Sequence, residues 1–596
     1  MPDSTTIATY LFTRLRQLGV GAIHGVPGDY NLDLLDYVKP SGLIWVGNAN
    51  ELNAAYAADG YARIKGLGAV ITTFGVGELS AVNGIAGAYA ELSPVVHIVG
   101  TPSRASQDAR LLIHHTFADG DYGRFAKMQE YVTVAQTSLW DFRTATQQID
   151  TVLQQCILHS RPVYIQIPMD LVAFSVPAGQ LQTPLSNADY NESMIGESDA
   201  VLQKILRSIY KTKRPIIIAD GECRPLGIIN DVQALIDTTG WPTWTTNFGK
   251  GLFNETRSNF HGIYKGDFSE QSVKEAIEGA DLVLFFGPHL SSSNTYGFTT
   301  FSNFQSCIFI KGTKVELGSE VFHDVSASFV TSGLIRDIDF KRIAKYNPYP
   351  LLHRDSHLPL DTLAGNSGPI YQDKLWRSLA NIIRPGDIVL GETGTAGYGV
   401  RDIHLPPHTR LFTPATWLSI GFMLPAAQGA ALAQREIVAE SKYHGLQQGQ
   451  ARAILFIGDG SFQMTAQELA TIIRHNLDVV IFLINNDGYT IERCIHGREQ
   501  EYNDISTWRY LQAPYFFGGS QETYTAACRT WAELNEVLGS EQLSFGRGLK
   551  MIEVFMGRED APKGPLLRYL ETQREKETCH EVDGGRNLRS DHSQDS

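Results

Sequence analysis

The sequence predicts an α/β protein of three doubly wound domains, each built on a parallel sheet with helices on both faces. Short apolar runs rich in Val, Ile and Leu alternate with amphipathic helical patterns along the chain, as expected for buried parallel strands. The chain has 596 residues, whereas a single hydrophobic core stops growing at roughly 250–300 residues. Two polar stretches that contain proline, 177–197 and 346–369, divide the chain into three blocks and are interpreted as linkers.

Each block contains several apolar runs bounded by turn residues. The predicted strands are 69–73, 95–100 and 163–168 in the first block, 215–220, 281–287 and 307–312 in the second, and 387–391, 453–458 and 479–485 in the third. The domains are accordingly placed at 1–180, 197–345 and 369–570. The last segment, 581–596, is polar and charged, and we expect it to be disordered.

Composition excludes several classes of protein. The net charge is −14, from 50 Lys and Arg against 64 Asp and Glu, and there is no basic stripe, which argues against a nucleic-acid-binding surface. The six cysteines include no CxxC pair, so reduced thiols fit better than structural zinc or disulfides. The N-terminus lacks the layout of a signal peptide, and no apolar run is long enough to span a bilayer. We therefore expect a cytoplasmic protein that binds neither nucleic acid nor a membrane.

The strongest local signal is a pair of loops, GDGS at 458–461 and NNDG at 485–488, each of which ends an apolar run. With the amphipathic stretch between them they form one βαβ unit, so Asp459 and Asn486 meet at the carboxyl edge of the sheet. Carboxylate, amide and backbone oxygens are the ligands that Mg²⁺ prefers, and the helix after Gly460 would direct N–H groups at an anion such as a diphosphate. A Gly-rich strand–helix turn followed by an unrelated Asn turn is the alternative.

Further motifs accompany these loops: VPGD at 26–29, NANE at 48–51, HH at 114–115 and GYTIE at 488–492. Together the motifs resemble those of the thiamine-diphosphate-dependent 2-oxo acid decarboxylases, the family that includes the pyruvate, indolepyruvate and phenylpyruvate decarboxylases. The resemblance extends over about 6–571. It implies a pyrimidine-binding first domain, a Rossmann-like structural middle domain and a diphosphate-binding third domain.

The resemblance implies non-oxidative decarboxylation of a 2-oxo acid, with pyruvate favoured, to an aldehyde and CO₂ through a thiamine-diphosphate ylide and an enamine. It also implies Mg²⁺ as a second cofactor, and a homodimer or homotetramer with active sites between subunits. A 2-oxo acid cannot release CO₂ directly because the resulting acyl anion has no electron sink, and the thiazolium ring of the cofactor supplies one.

Five residues carry proton transfer in this interpretation. Glu51 would exchange a proton with the pyrimidine ring of the cofactor, for which a buried carboxyl with a raised pKa is suited. The other four, which would form a proton relay around the substrate, are Asp29, His114, His115 and Glu492. Taken one at a time, these residues also fit simpler alternatives: a helix-terminal or solvated carboxylate, a Gly-Asp turn, or a surface pair of histidines.

The resemblance also assigns cofactor and metal contacts. Mg²⁺ would be bound by Asp459, Asn486 and the backbone carbonyl of Gly488. The residues that would contact thiamine diphosphate are Glu51, Thr393, Thr395, Leu418, Ile420, Asp459, Gly460, Ser461, Asn486 and Gly488. Leu418 stands where relatives often have Gly, whose carbonyl binds the aminopyrimidine, and Ile420 would be the bulky apolar residue beneath the cofactor.

The sequence is compatible with pyruvate and with larger 2-oxo acids as the substrate. Ser293 and Gly397 are small at positions where relatives carry larger side chains, which would enlarge the pocket. Ile491 and Ile495 match the bulky aliphatic wall that confines small substrates, although one methylene changes discrimination by only about 1–3 kcal/mol. Pyruvate is favoured, and aromatic or branched 2-oxo acids are the alternative.

Two differences from the family concern activation by a second substrate molecule. Glu222 occupies the position of a regulatory cysteine, with Cys223 beside it, and Leu92 replaces a histidine. We therefore expect weak or absent substrate activation. The segment 434–452 is longer than its counterpart in the family and is expected to form an exposed loop.

Three other functions fit less well. A thiamine-dependent carboligase would usually lack the adjacent histidine pair and the Glu after the metal loop. A catalytically silent paralogue would be expected to have lost Glu51, Asp459 or the histidine pair, all of which are present. An NAD-dependent dehydrogenase is disfavoured because GVGELS at 75–80 lacks the third Gly of a dinucleotide fingerprint.

Overall fold

A computed structural model of the chain describes residues 3–590 apart from 186–191, 302, 303, 305, 351, 353–357, 364 and 448. Three separate sheets, each flanked by helices, confirm the prediction of three α/β domains. No helix in the described residues is both long and apolar enough to cross a membrane. Cys156, Cys223, Cys307, Cys494 and Cys528 are free thiols rather than disulfide partners.

The first domain contains a six-stranded parallel sheet of order β3-β2-β4-β5-β7-β6, while β1 and β8 pair antiparallel beside it. Its strands are β1 Ser4–Thr6, β2 Ala22–Gly25, β3 Ile44–Trp45, β4 Gly68–Thr73, β5 Val95–Thr101, β6 Ala135–Ser138, β7 Val163–Pro168 and β8 Ser175–Pro177. Its helices are α1 Ile7–Gln17, α2 Leu32–Leu35, α3 Glu51–Lys65, α4 Val76–Ala90, α5 Arg104–Asp108, α6 Arg124–Gln129 and α7 Phe142–His159. The central strands are fully buried, because helices cover both faces of the sheet.

The middle domain has a seven-stranded sheet of order β11-β10-β9-β12-β13-β14-β15. Its strands are β9 Pro215–Ala219, β10 Thr243–Thr245, β11 Phe260–Ile263, β12 Leu282–Phe286, β13 Cys307–Lys311, β14 Lys314–Leu317 and β15 Glu320–His323. Its helices are α8 Glu192–Ile209, α9 Ile229–Thr239, α10 Gln271–Glu278 and α11 Ala327–Asp337. The last two strands run antiparallel, unlike the predicted parallel sheet, because turns at 312–313 and 318–319 are too short for a crossover helix.

The third domain has a six-stranded parallel sheet of order β17-β16-β18-β19-β21-β20. Its strands are β16 Ile388–Gly391, β17 Arg410–Phe412, β18 Ala453–Gly458, β19 Val479–Asn485, β20 Tyr524–Cys528 and β21 Lys550–Phe555. Its helices are α12 Gln372–Leu379, α13 Thr395–Gly399, α14 Met423–Ala439, α15 Asp459–Thr465, α16 Leu469–Arg474, α17 Thr490–Ile495, α18 Ala513–Phe516, α19 Trp531–Leu538, α20 Glu541–Ser544 and α21 Pro565–Ser590.

Two expectations about irregular segments are wrong over the described residues. Residues 581–590, expected to be disordered, continue α21, whose first turns are anchored by the buried Leu566 and Leu570; residues 591–596 lie outside the described residues. The segment 434–452 is not a wholly exposed loop. Its first six residues belong to α14, and the buried Tyr443 hydroxyl donates to the Gly386 carbonyl at 2.6 Å.

The first and third domains meet where α3 packs on α14. A Cβ added to Gly429 would lie 1.9 Å from the Ala57 carbonyl oxygen, and one on Gly60 would lie 2.2 Å from that of Ala426. The backbones therefore approach as closely as only glycine permits. Beside this contact the Tyr61 hydroxyl donates to Glu436 at 2.6 Å.

Replacing Gly429 by Ala should lower the free energy of unfolding by about 1–3 kcal/mol, because the added methyl forces the two helices apart. Chemical denaturation of the variant and the parent protein measures this. Gly196→Ala is the matched control, since Gly196 also lies within a helix but an added Cβ there meets no atom within 4 Å. The control should be neutral or raise stability by about 0.4–1 kcal/mol. Equal effects of the two substitutions would contradict the close packing.

Candidate active site

The predicted metal loop lies at the carboxyl edge of the third sheet, where β18 leads into α15. The Asp459 side chain is almost fully buried, and it accepts the N–H groups of Gly460 at 2.9 Å and of Gly488 at 3.1 Å. Gly488 has a φ of +126°, and a Cβ there would lie 2.4 Å from the Asn503 carbonyl oxygen, so the loop requires glycine. The structure thus brings Asp459 and the loop after β19 together.

Three oxygen-bearing groups converge beside Asp459. One end of the Asn486 amide lies 3.1 Å from Asp459 Oδ1 and 3.0 Å from the Gly488 carbonyl oxygen, while its other end lies 2.8 Å from the Thr490 hydroxyl. In the orientation that satisfies its hydrogen bonds, the amide nitrogen donates to both of these oxygens. Turned over, the amide would present its oxygen instead, and the separations of 3.0 and 3.1 Å would match the roughly 3.0 Å between neighbouring ligands of an octahedral Mg²⁺ with bonds of about 2.1 Å. Burial raises the pKa of Asp459 to about 6. A cation would favour the ionised carboxylate, so these residues fit Mg²⁺.

Polar groups next to the metal loop suit a diphosphate. Thr393, Thr395 and Ser461 follow strands β16 and β18, which are neighbours in the sheet. The Thr393 hydroxyl oxygen is buried and has no hydrogen-bond partner within the described residues. An added Cβ at Gly394 or Gly458 would meet no atom within 4 Å, so there is open space between the two loops.

The segment before α14 carries two of the predicted cofactor contacts, Leu418 and Ile420. Leu418 adopts φ +55°, a left-handed conformation that suits glycine and is strained for a larger residue. The following Ser419 is held by the first domain, since its hydroxyl lies 2.8 Å from that of Tyr56 and accepts from the Asn83 amide at 3.1 Å. The backbone that would meet the aminopyrimidine is therefore fixed by a neighbouring domain.

Glu51 is the first residue of α3, which Asn50 caps by accepting the Asn53 N–H at 2.8 Å. The carboxyl is half-buried, and burial raises its pKa. Gly77 leaves space beside it, since a Cβ there would lie 3.1 Å from the Glu51 carboxylate. The group can therefore hold a proton at a higher pH than an exposed glutamate.

Three of the predicted relay residues form one cluster. His114 Nε2 lies 2.5 Å from Asp29 Oδ2, and its Nδ1 lies 3.3 Å from the Tyr30 hydroxyl. The His115 ring stands edge-on to that of His114, with 4.7 Å between ring centres. Burial, and then the neighbouring His114, lower the pKa of His115. One imidazole is thus paired with a carboxylate, while the other is kept neutral.

Glu492, the fifth predicted catalytic residue, is exposed on α17 of the third domain. Among the described residues, no hydrogen bond joins it or Asp459 to the cluster of Asp29 and His114 or to Glu51. The side chains of Asp29 and His114 are themselves about half exposed, at 50% and 59%. Within the described part of one chain, the predicted site residues therefore form two separate groups, one in the first domain and one in the third.

Neither small residue singled out for substrate size leaves an open space. The Ser293 hydroxyl donates to the Ala415 carbonyl, so it ties the middle domain to the segment before Leu418. Gly397 is buried in α13, where a Cβ would lie 2.7 Å from the Glu392 carbonyl oxygen. The space beside each residue is already filled by backbone.

Sequence reasoning missed two carboxylates that hold these loops. Glu392 is fully buried, accepts the N–H groups of Thr393 at 2.7 Å and Met423 at 2.8 Å, and has its pKa raised by burial to about 7. Glu91 accepts three N–H groups from 415–417 in the third domain. Their partners are distant in sequence, so no local spacing reveals them.

Comparisons with known proteins identify the family to which the three domains belong. Residues 5–123 match the N-terminal TPP binding domain of thiamine pyrophosphate enzymes, 202–329 match the central domain, and 392–517 match the C-terminal TPP binding domain. All three domains thus match one class of enzyme, which binds thiamine diphosphate.

Relatives that match over nearly the whole chain identify the family within this class of enzymes. A pyruvate decarboxylase of Aspergillus parasiticus is 53% identical over 94% of this chain and 96% of its own. The pyruvate decarboxylase of Aspergillus fumigatus and isozyme 1 of Saccharomyces cerevisiae are each 39% identical, again over 94% of this chain and 96% of theirs. The chain belongs to the pyruvate decarboxylase family of thiamine pyrophosphate enzymes.

Replacing Asp459 by Asn should weaken metal binding by about 10- to 100-fold or more, because it removes the one charged ligand. Titration calorimetry with Mn²⁺ in the presence of thiamine diphosphate measures the affinity. Asp487→Asn is the matched control, since Asp487 belongs to the same loop but pairs with Arg558 at 3.0 Å and lies half exposed. Equal losses in the two variants would show that Asp459 is not a ligand.

Proposed function

We propose that the protein decarboxylates pyruvate without oxidation, giving acetaldehyde and CO₂, with thiamine diphosphate and Mg²⁺ as cofactors. The observation that carries this proposal is the cluster of Asp29, His114 and His115, which offers both a paired and a neutral imidazole for proton transfer. Loss of CO₂ from pyruvate requires one proton to be delivered to the former carbonyl carbon. A family whose cofactor supplies the electron sink still needs the protein to supply that proton.

The cofactor, when bound, supplies a thiazolium ring that accepts the electrons of the breaking carbon–carbon bond. Asp459, Asn486 and the Gly488 carbonyl would hold Mg²⁺, and Thr393 would meet the diphosphate with its hydroxyl. Glu51 holds a proton at its carboxyl because burial raises its pKa, and so can exchange it with the pyrimidine ring.

Proton delivery at the substrate falls to the relay cluster. The neutral His115 can accept a proton, whereas the His114 imidazole is oriented by its hydrogen bond to Asp29. Glu492, from the third domain, would add a carboxyl on the opposite side. The catalytic roles of these four residues are part of the proposal.

The separation of the two groups of site residues within one chain supports active sites that lie between subunits. Glu51 and the relay cluster lie in the first domain, while Asp459 and Glu492 lie in the third, and no hydrogen bond joins the two sets within the described part of the chain. We propose a homodimer or homotetramer in which the first domain of one subunit completes the third domain of another.

Pyruvate is preferred to aromatic or branched 2-oxo acids in this proposal. Backbone atoms occupy the space beside Ser293 and Gly397 that a larger substrate would need. Ile491 packs against the buried cluster around Cys494, and Ile495 is 48% exposed on the same helix. The alternative functions are a thiamine-dependent carboligase and a catalytically silent paralogue. An activity measurement distinguishes both from a decarboxylase.

With both cofactors added, aldehyde formation should be fastest with pyruvate among pyruvate, phenylpyruvate, indolepyruvate and 2-oxoisovalerate. Glu51→Gln should lower the rate by about 10²- to 10⁴-fold, because the carboxyl proton is lost. Glu536→Gln, on an exposed face of α19, serves as the control.

The rate curve for pyruvate should be hyperbolic, since the Cys223 thiol is fully buried and burial raises its pKa. Absence of turnover with all four acids despite bound cofactor would refute the decarboxylase.

Mixing Glu51→Gln and Asp459→Asn chains should restore activity that neither variant has alone. In a mixed dimer one site has both original residues and the other has neither, so random reassortment recovers about a quarter of the parent activity. The variants are unfolded or dissociated together, reassociated and assayed, and reassociated single variants serve as controls. No recovery in verified mixed dimers would mean that Glu51 and Asp459 of one chain serve the same site.

A further inference from the structure

The segment 415–417 leads directly into the cofactor contacts Leu418 and Ile420, and the first domain holds its backbone. Glu91 Oε1 accepts the N–H groups of its three residues at 2.7, 3.0 and 3.3 Å. Three charge-assisted hydrogen bonds to one oxygen fix the direction of the chain before the strained Leu418.

The middle domain holds the same segment through one imidazole. His289 Nε2 lies 2.6 Å from the Thr416 hydroxyl, and its Nδ1 lies 3.0 Å from the Glu222 carboxylate. The His289 backbone N–H donates to Asp220 at 2.8 Å, and the ring packs at 5.1 Å from that of Phe248. Both ring nitrogens are therefore engaged, one within the middle domain and one across to the third.

We propose that His289 is a positioning residue, which sets the cofactor-contact segment through its hydrogen bond to Thr416 and so strengthens binding of thiamine diphosphate. The inference rests on the proposed cofactor site. His289 touches neither the substrate nor the reacting atoms in this role. Its effect reaches Leu418 and Ile420 through the two or four residues of backbone that follow Thr416.

The hydrogen bond survives a change in protonation. Burial lowers the pKa of His289, but the hydrogen bond and charge of Glu222, together with the charges of Asp220 and Glu91, outweigh burial and raise it. The imidazolium donates to both Glu222 and Thr416. The neutral ring with hydrogen on Nδ1 still donates to Glu222 and accepts the Thr416 hydroxyl. The link between domains therefore persists across the titration of the ring.

Substitutions at His289 separate its two contacts. The side-chain amide of Asn lies near the position of Nδ1, so His289→Asn keeps the contact with Glu222 and loses the hydrogen bond to Thr416. The amide of Gln reaches the place of Nε2, so His289→Gln keeps the contact with Thr416. Thr416→Val removes the partner hydroxyl at nearly equal volume, and Thr416→Ser retains it.

The dissociation constant of thiamine diphosphate, measured on apoenzyme with saturating Mg²⁺ by quenching of tryptophan fluorescence, provides the test. His289→Asn and Thr416→Val should each raise it by about 3- to 10-fold, the range expected for one hydrogen bond, whereas His289→Gln and Thr416→Ser should change it by less than about 2-fold. The double variant His289→Asn, Thr416→Val should resemble either single one, because both remove the same bond. The turnover number at saturating cofactor should stay near that of the parent.

Dissociation constants for His289→Asn and Thr416→Val equal to the parent's, or effects that multiply in the double variant, would overturn the proposal. Should His289→Asn not fold, as shown by circular dichroism, the Thr416→Val and Thr416→Ser pair decides the question alone. A parent protein that binds no thiamine diphosphate would instead refute the proposed function. The two failures are thus distinguishable.

Discussion

Helices α3 and α14 lie so close together that, at Gly60 and Gly429, the backbone of one helix fills the space a side chain would take on the other. Glu51 is the first residue of α3, while Leu418 and Ile420 lie just before α14. The contact therefore fixes the position of Glu51 relative to the segment before α14 within one chain. In the proposed dimer this contact would be made in each subunit, so the glycine positions would bear on the assembly as well as on the single chain.

Burial of carboxyl groups gives the site its chemistry, and the neighbours of each carboxyl decide its use. Burial raises the pKa of Asp459, Glu51 and Glu392 alike. Asp459 lies beside the Asn486 amide and the Gly488 carbonyl, and together they would hold a cation. Glu51 is half-buried beside Gly77, and in the proposed mechanism it exchanges its proton with the cofactor. Glu392 accepts two backbone N–H groups and so holds two loops. The same physical effect, the cost of placing a charge away from water, therefore acts on three carboxyls with different proposed roles: metal binding, proton exchange and anchoring of a loop.

The sequence was sufficient for features that depend on local pattern. Continuous apolar runs predicted the parallel strands, and the βαβ spacing predicted that Asp459 and Asn486 would lie together. The sequence was insufficient where hydrogen-bond partners are far apart along the chain. Nothing near Glu91 or His289 indicates that their partners lie more than 100 residues later. The contact of Ser293 was hidden for the same reason, since only the structure shows the Ala415 carbonyl to which its hydroxyl donates.

The antiparallel edge of the middle sheet has a consequence for the order of folding. Strands β13, β14 and β15 are joined by two-residue turns, so their contacts lie close together in sequence. Hairpins of this kind form in about 1–10 μs, whereas each parallel pair must first close a long crossover loop. This meander should be native-like while the parallel strand pairs of the three sheets are still assembling. Strand β13 of the meander is then already formed when β12 pairs with it.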